Sequence, residues 1–148
     1  MTTAPQPAAS TSRTFRFPLP PHPIAVEQSR ILVRLALSEW NMNDLADNTL
    51  IITAELVANA ARIGDVFRLT LSQQNGTVLV EVSDSSEATP DRQRRSVDRV
   101  DGRGLLLVEG CSKDWGWRLE SQGGKTVWAL VGDLDAEPES HSLPSVRM

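Results

Sequence analysis

Two polar residues four positions apart have the chemistry to hold a metal ion and to activate a hydroxyl group. These are Glu55 and Asn59, and on a helix that spacing makes both side chains project from the same side. An amide oxygen can contribute to a hydrated Mg²⁺ site, and a carboxylate can accept the proton of a hydroxyl. For this pair taken alone, an ordinary solvated helix edge is the simpler interpretation.

A carboxylate ends the apolar segment that starts at Val78. This residue, Asp84, is followed by Ser85 and Ser86. At the end of a strand its side chain would face a pocket at the sheet edge and could accept a hydrogen bond from the exocyclic amine of adenine. The alternative is a turn residue, because Asp followed by serines also begins loops well.

Two glycines directly precede a short predicted helix that runs from Leu105 to Cys111. Gly102 and Gly104 lie on either side of Arg103. The free N–H groups and the dipole of a helix N-terminus attract phosphate. A single Gly-x-Gly is also common in plain loops, so it indicates a phosphate site only together with the Glu55–Asn59 pair and Asp84.

Hydrophobic periodicity predicts the elements that position these residues. Apolar residues alternate from Phe15 to Leu19, which indicates a short strand. From Ile24 to Trp40 they recur every three or four positions, which indicates an amphipathic helix. A second helix is predicted from Asp44, a plausible cap, to the region of Gly64.

The second half of the chain has the periodicity of strands. Asn75 and Gly76 separate two apolar segments and form a strong hairpin signal. A second hairpin is predicted where alternation from Trp115 to Leu119 is followed by alternation from Thr126 to Leu130. Helices gathered on one face of a largely antiparallel sheet predict an α+β fold, a two-layer sandwich. The polar segment from Ser85 to Arg103 is too long for a routine connection and is predicted to be a mobile lid.

Composition narrows the class of protein. The 148 residues are 40% hydrophobic, which suits one domain, predicted at 14–131, between flexible tails at 1–13 and 132–148. A single cysteine, Cys111, suits a reducing compartment. No signal peptide or apolar span is evident, so a cytoplasmic protein is predicted. The net charge of −4 lacks the basic footprint of a nucleic-acid binder.

Taken together, the three motifs resemble the boxes of GHKL (Bergerat-fold) ATPases. The segment from Glu55 to Ala60 resembles the N box, Val82 to Ser86 the first adenine-binding box, and Gly102 to Val108 the second glycine box. The order and spacing agree as well. The last two predicted strands are similar to those of the small bacterial anti-sigma-factor serine kinases, so the resemblance covers roughly Phe15 to Val131.

The resemblance implies a role for each matching residue. Asn59 would coordinate Mg²⁺ bridging the phosphates of ATP, and Glu55 would be the general base for a seryl hydroxyl or water. Asp84 would hold the adenine amine, helped by Thr126. The phosphates would be approached by the second glycine box, that is by Gly102, Arg103, Gly104 and Leu105.

The resemblance also implies partners and an activity. Such a protein sequesters a sigma factor and phosphorylates a serine on an antagonist of the STAS type, without direct nucleic-acid or membrane binding, and it can form a homodimer. Two positions depart from the family pattern. Ile63 stands where the family usually has His, and Ser86 stands where many members have Gly. The first departure leaves open a non-catalytic GHKL-fold interaction module that binds partners without phosphotransfer.

Overall fold

A computed structural model of the chain describes residues 13–90, 100–132 and 146–147, with only the backbone described for 100–105 and 146–147. Within these residues there are six strands and three α-helices. In chain order they are β1 (Thr14–Leu19), α1 (Ile24–Glu39), α2 (Ala46–Ala61), β2 (Phe67–Gln74), β3 (Thr77–Asp84), α3 (Val100–Cys111), β4 (Asp114–Leu119), β5 (Lys125–Val131) and β6 (Val146–Arg147).

The strands form one sheet in the order β1-β2-β3-β5-β4-β6, and every neighbouring pair is antiparallel. Helices α1 and α2 pack on one face of it. Because side chains alternate across a strand, Val78, Val80 and Val82 of β3 join the helices in the main core, whereas Leu79 belongs to a separate buried cluster with Trp128 on the opposite face. The predicted α+β sandwich with helices on one face is confirmed.

The predicted hairpins are present. Asn75 and Gly76 connect β2 to β3 with φ values of 50° and 82°, and positive φ at both central residues is what a type I′ turn requires. The pairing continues outwards from Gln74 opposite Thr77 to Arg68 opposite Ser83. This register places Asp84 at the end of β3 that lies furthest from the turn.

The two long helices agree with their apolar patterns. Val33 and Leu37 of α1, and Ile52 and Leu56 of α2, are buried between the helix layer and the sheet. The start of the second helix differs from the prediction. A 3-10 turn over Asn43–Leu45 comes first, and neither that turn nor α2 has a side-chain cap, because Asp44 lies inside the turn instead of preceding the helix.

Helix α3 begins earlier than predicted. It starts at Val100 and not at Leu105, so Gly102 and Gly104 lie within its first two turns, where the sequence prediction placed them ahead of the helix. Gly102 still falls among the first residues, whose N–H groups have no partner inside a helix.

Parts of the predicted tails and of the predicted lid lie outside the described residues. These include residues 1–12 of the N-terminal tail and residues 91–99 of the lid. In the predicted tail at 132–148, Val146 and Arg147 form β6, which pairs with Trp117 and Gly116 of β4. The sequence prediction contained no strand there.

Candidate functional site

Glu55 and Asn59 lie one turn apart on α2, the helix that packs over β3 and β5. Both are half-buried. The Asn59 side-chain oxygen accepts a hydrogen bond from Arg62 Nη1 at 2.6 Å. In the part of the chain that the structure describes, the Glu55 carboxylate has no hydrogen-bond or ion-pair partner. At the rim of the helix layer, the Glu55 carboxylate, unpartnered among the described residues, therefore lies one turn from the Asn59 amide, which is hydrogen-bonded to the exposed Arg62.

Asp84 points to the helix-covered side of the sheet, in line with Val80 and Val82. Its side chain is only 6% exposed. Oδ1 accepts the Ser86 N–H at 2.9 Å, and Oδ1 and Oδ2 accept from Lys125 Nζ at 3.0 and 3.1 Å. The carboxylate is therefore a buried hydrogen-bond acceptor with a cationic partner that the sequence prediction did not include.

Lys125 is that partner, and it pairs directly opposite Asp84 across β3 and β5. Its side chain is 9% exposed, although lysine is almost never fully buried unless it is paired. The signal was present in the sequence, because Lys125 alternates in step with Val127 and Ala129, which face the core. A lysine on the apolar face of a strand predicts a buried anionic partner.

Thr126 lies on the opposite face of the sheet from Asp84. It is paired with Ser83, and the two hydroxyl oxygens are 2.7 Å apart. Its hydroxyl also bonds the carboxylate of Glu120. The prediction that Thr126 assists Asp84 is not supported by this placement, because neighbouring residues of a strand point to opposite faces.

The same face of the sheet holds a groove of about 610 Å³, lined among others by Ser83 and Arg118, the two residues paired with Thr126. Arg118 crosses it and donates to Glu81 at 2.9 Å and to Glu120 at 3.1 Å. Arg16 and Arg68 line its other side. Asp84, at the end of β3, also lines the groove, whereas Glu55 does not.

Gly124 fixes how closely β5 approaches Asp84. Its φ is +84°, and a Cβ built there would lie 2.2 Å from the backbone oxygen of Asp84. No side chain fits without moving one backbone segment. The turn before β5 therefore depends on glycine to bring Lys125 against the Asp84 carboxylate.

We expect Gly124→Ala to destabilise the protein more than Gly76→Ala. Both glycines have positive φ, but a Cβ at Gly76 meets nothing within 4 Å. Gly76→Ala should thus cost only the backbone strain, about 1–2 kcal/mol, and Gly124→Ala should cost clearly more. Chemical denaturation of both variants checks this, and equal losses would contradict the close approach at Asp84.

The predicted phosphate-binding segment is described only in its backbone. For Gly102 and Gly104 this is the whole residue apart from its hydrogens, whereas nothing is described of the side chains of Arg103 and Leu105. The backbone of α3 contacts α2, which carries Glu55 and Asn59. The N-terminal part of α3 and the polar rim of α2 thus belong to the same helix layer.

The described residues contain neither a cluster of metal ligands nor a membrane-spanning helix. Among the described residues, His, Cys, Asp and Glu form no group of three or more that could hold a metal ion. None of the helices in the described ranges has the length and apolar character needed to cross a bilayer.

Residues 21–130 match the family described as the histidine kinase-like ATPase domain. The match spans most of the chain and all three predicted boxes, so the chain belongs to this family. The family assignment confirms the GHKL-type ATPase domain inferred from the boxes and supports binding of ATP. A comparison with curated proteins gives no match.

Proposed function

We propose that the protein is an ATP- and Mg²⁺-dependent anti-sigma-factor serine kinase. In this proposal it sequesters a sigma factor and phosphorylates a serine on a STAS-type antagonist that would otherwise release the sigma factor. The observation that carries the catalytic part is the Glu55 carboxylate, half-buried and without a partner in the described chain, one turn before Asn59.

A general base needs an unengaged carboxylate within reach of the hydroxyl that it deprotonates. Glu55 meets the first condition, because no ion pair or hydrogen bond holds its oxygens among the described residues. Its place one turn from Asn59 meets the second if the terminal phosphate is held near Asn59. Proton acceptance by Glu55 would then turn the seryl hydroxyl into the nucleophile that attacks the terminal phosphorus of ATP, and ADP would leave as that phosphorus is transferred.

The donor set fits Mg²⁺ bound together with nucleotide phosphates. Mg²⁺ prefers oxygen ligands and is commonly held by one or two protein groups plus phosphates and water. Asn59 offers one amide oxygen, and Mg²⁺ held there would neutralise charge on the transferred phosphoryl group. Arg62 must first release that oxygen. Its guanidinium is a charged donor, so the lost hydrogen bond costs at most about 1.5–3 kcal/mol, and water can replace it because Arg62 is exposed.

The proposed protein partners have a surface on which to dock. Ile24, Ile31 and Leu35 of α1 are 51%, 60% and 63% exposed. Their spacings of seven and four residues place them on one side of the helix, away from the core. This apolar stripe supports partner binding or a homodimer through α1.

A non-catalytic interaction module is the second candidate. It is favoured by Ile63, which offers no proton acceptor two turns after Glu55, and by the engagement of Asn59 with Arg62. In that case the domain would bind partners, with or without ATP, and transfer no phosphate.

Incubation of the pure protein with γ-labelled ATP and Mg²⁺, with and without candidate STAS-type antagonists, separates these functions. Label on a serine of one antagonist supports the kinase. Firm ATP binding without transfer to any antagonist supports the non-catalytic module. Absence of nucleotide binding would contradict the ATP-dependent proposal as a whole.

A further inference from the structure

A lysine that sequence reasoning overlooked lies beside the predicted adenine acceptor. We propose that Lys125 is a second base-reading residue, which donates a hydrogen bond to the ring nitrogen next to the exocyclic amine of adenine while Asp84 accepts from that amine. The inference rests on the proposed ATP site and adds a specificity-determining residue to it.

The hydrogen bonds of Asp84 leave one acceptor position. Each carboxylate oxygen has two lone pairs. Oδ1 accepts from both Lys125 Nζ and the Ser86 N–H, so its two positions are filled. Oδ2 accepts only from Lys125 Nζ among the described residues. The remaining lone pair of Oδ2 is the one that an exocyclic amine can use.

Lys125 has one more donor than Asp84 uses. An ammonium group carries three N–H donors, and two of them account for the bonds of 3.0 and 3.1 Å to Oδ1 and Oδ2. The tetrahedral geometry of the nitrogen directs the third N–H away from the carboxylate. A donor and an acceptor thus lie side by side, 3.1 Å apart, at the end of the helix-covered face.

This pair is complementary to adenine. Adenine presents an amine donor with an acceptor ring nitrogen on each side, N1 and N7. A protein can bond the amine and a neighbouring ring nitrogen at once when its acceptor and donor atoms lie side by side, as Oδ2 and Nζ do at 3.1 Å. Guanine has a carbonyl in place of the amine, so in the same orientation its oxygen would face the Asp84 carboxylate.

A structural ion pair is the competing explanation for Lys125. Buried ion pairs are weak support for stability, because desolvation offsets much of the attraction between the charges. A purely structural lysine would affect all nucleotides alike. A base-reading lysine must instead affect only those nucleotides that carry the ring acceptor, and this difference can be measured.

The test compares ATP with 1-deaza-ATP, which lacks N1, and with 7-deaza-ATP, which lacks N7. Calorimetric titrations of the wild-type full chain measure the three affinities. We expect one of the two analogues to bind roughly tenfold or more weakly than ATP, since a hydrogen bond from a charged donor is lost. In Lys125→Met the same analogue and ATP should bind equally. Lys125→Arg, which retains donors, should keep part of the difference.

Lys113→Met is the matched control, because it removes the same charge near the other end of β5, where the Lys113 N–H bonds the Leu130 oxygen. It should keep the wild-type preference.

The wild-type titrations need no substitution, so they test the inference even if Lys125→Met misfolds. If wild type binds both analogues as tightly as ATP, or Lys125→Met keeps the full difference, the inference fails while the ATP site stands. If wild type binds none of the three nucleotides, the proposed function fails as well.

Discussion

Glu55→Gln is expected to lower phosphotransfer to the antagonist by roughly 10²–10⁴-fold, the range typical for loss of a general base. Nucleotide affinity should change little. The amide has nearly the shape of the carboxylate but cannot take the seryl proton, and Glu55 holds no other group of the described chain in place. Single-turnover transfer from labelled ATP and calorimetric ATP binding measure the two quantities separately.

Asp47→Asn is the matched control, since it removes one negative charge from an exposed position in the first turn of the same helix. Its transfer rate should stay close to that of wild type. A fully active Glu55→Gln would show that the base lies elsewhere. A parallel loss in both variants would indicate that the charge of α2 matters, and not the carboxylate at position 55.

Asp84→Asn is expected to weaken ATP binding by roughly tenfold to hundredfold, because the amide can place a donor where the adenine amine needs an acceptor and a charged hydrogen bond is worth about 1.5–3 kcal/mol. The variant also leaves the buried ammonium of Lys125 without its carboxylate. Breaking a buried pair on one side costs about 3–5 kcal/mol, so thermal stability should fall too.

The double variant Asp84→Asn with Lys125→Met separates the two effects. It should recover much of the stability, since no unpaired buried charge remains, but not the affinity for ATP. Purine riboside triphosphate, which lacks the 6-amino group, supplies the second control. Wild type should prefer ATP to this analogue, and Asp84→Asn should not. Equal ATP affinity of wild type and Asp84→Asn would remove Asp84 from the base site.

The local elements followed from the sequence because their causes are local. Apolar spacing determined α1, α2 and strands β1 to β5, and Asn75-Gly76 determined the first hairpin, since few other residue pairs accept positive φ at both positions. The order and spacing of the boxes from Glu55 to Val108 identified the ATPase family, which the match over residues 21–130 confirmed. The roles of the individual residues remain predictions.

Features set by weak local signals were less predictable. The glycines at 102 and 104 suggested a loop before α3, because glycine has low helix propensity, yet the helix already begins at Val100. Its packing against α2 is a contact with a distant part of the chain. Such packing can override the low helix propensity of glycine. The residues around Gly102 in the sequence give no information about it.

The pairing of strands in the sheet decided which residues make up the proposed adenine site. The sequence identified Asp84 as an acceptor at a strand end, but it placed Thr126 beside it, and the tertiary structure places Lys125 there. Which residue faces Asp84 depends on the register between β3 and β5, and Asp84 and Lys125 lie 41 positions apart in the chain. A shift of one residue in that register exchanges the two faces of the strand. Only the packing of β5 under α2, with Gly124 against the backbone of Asp84, settles the choice.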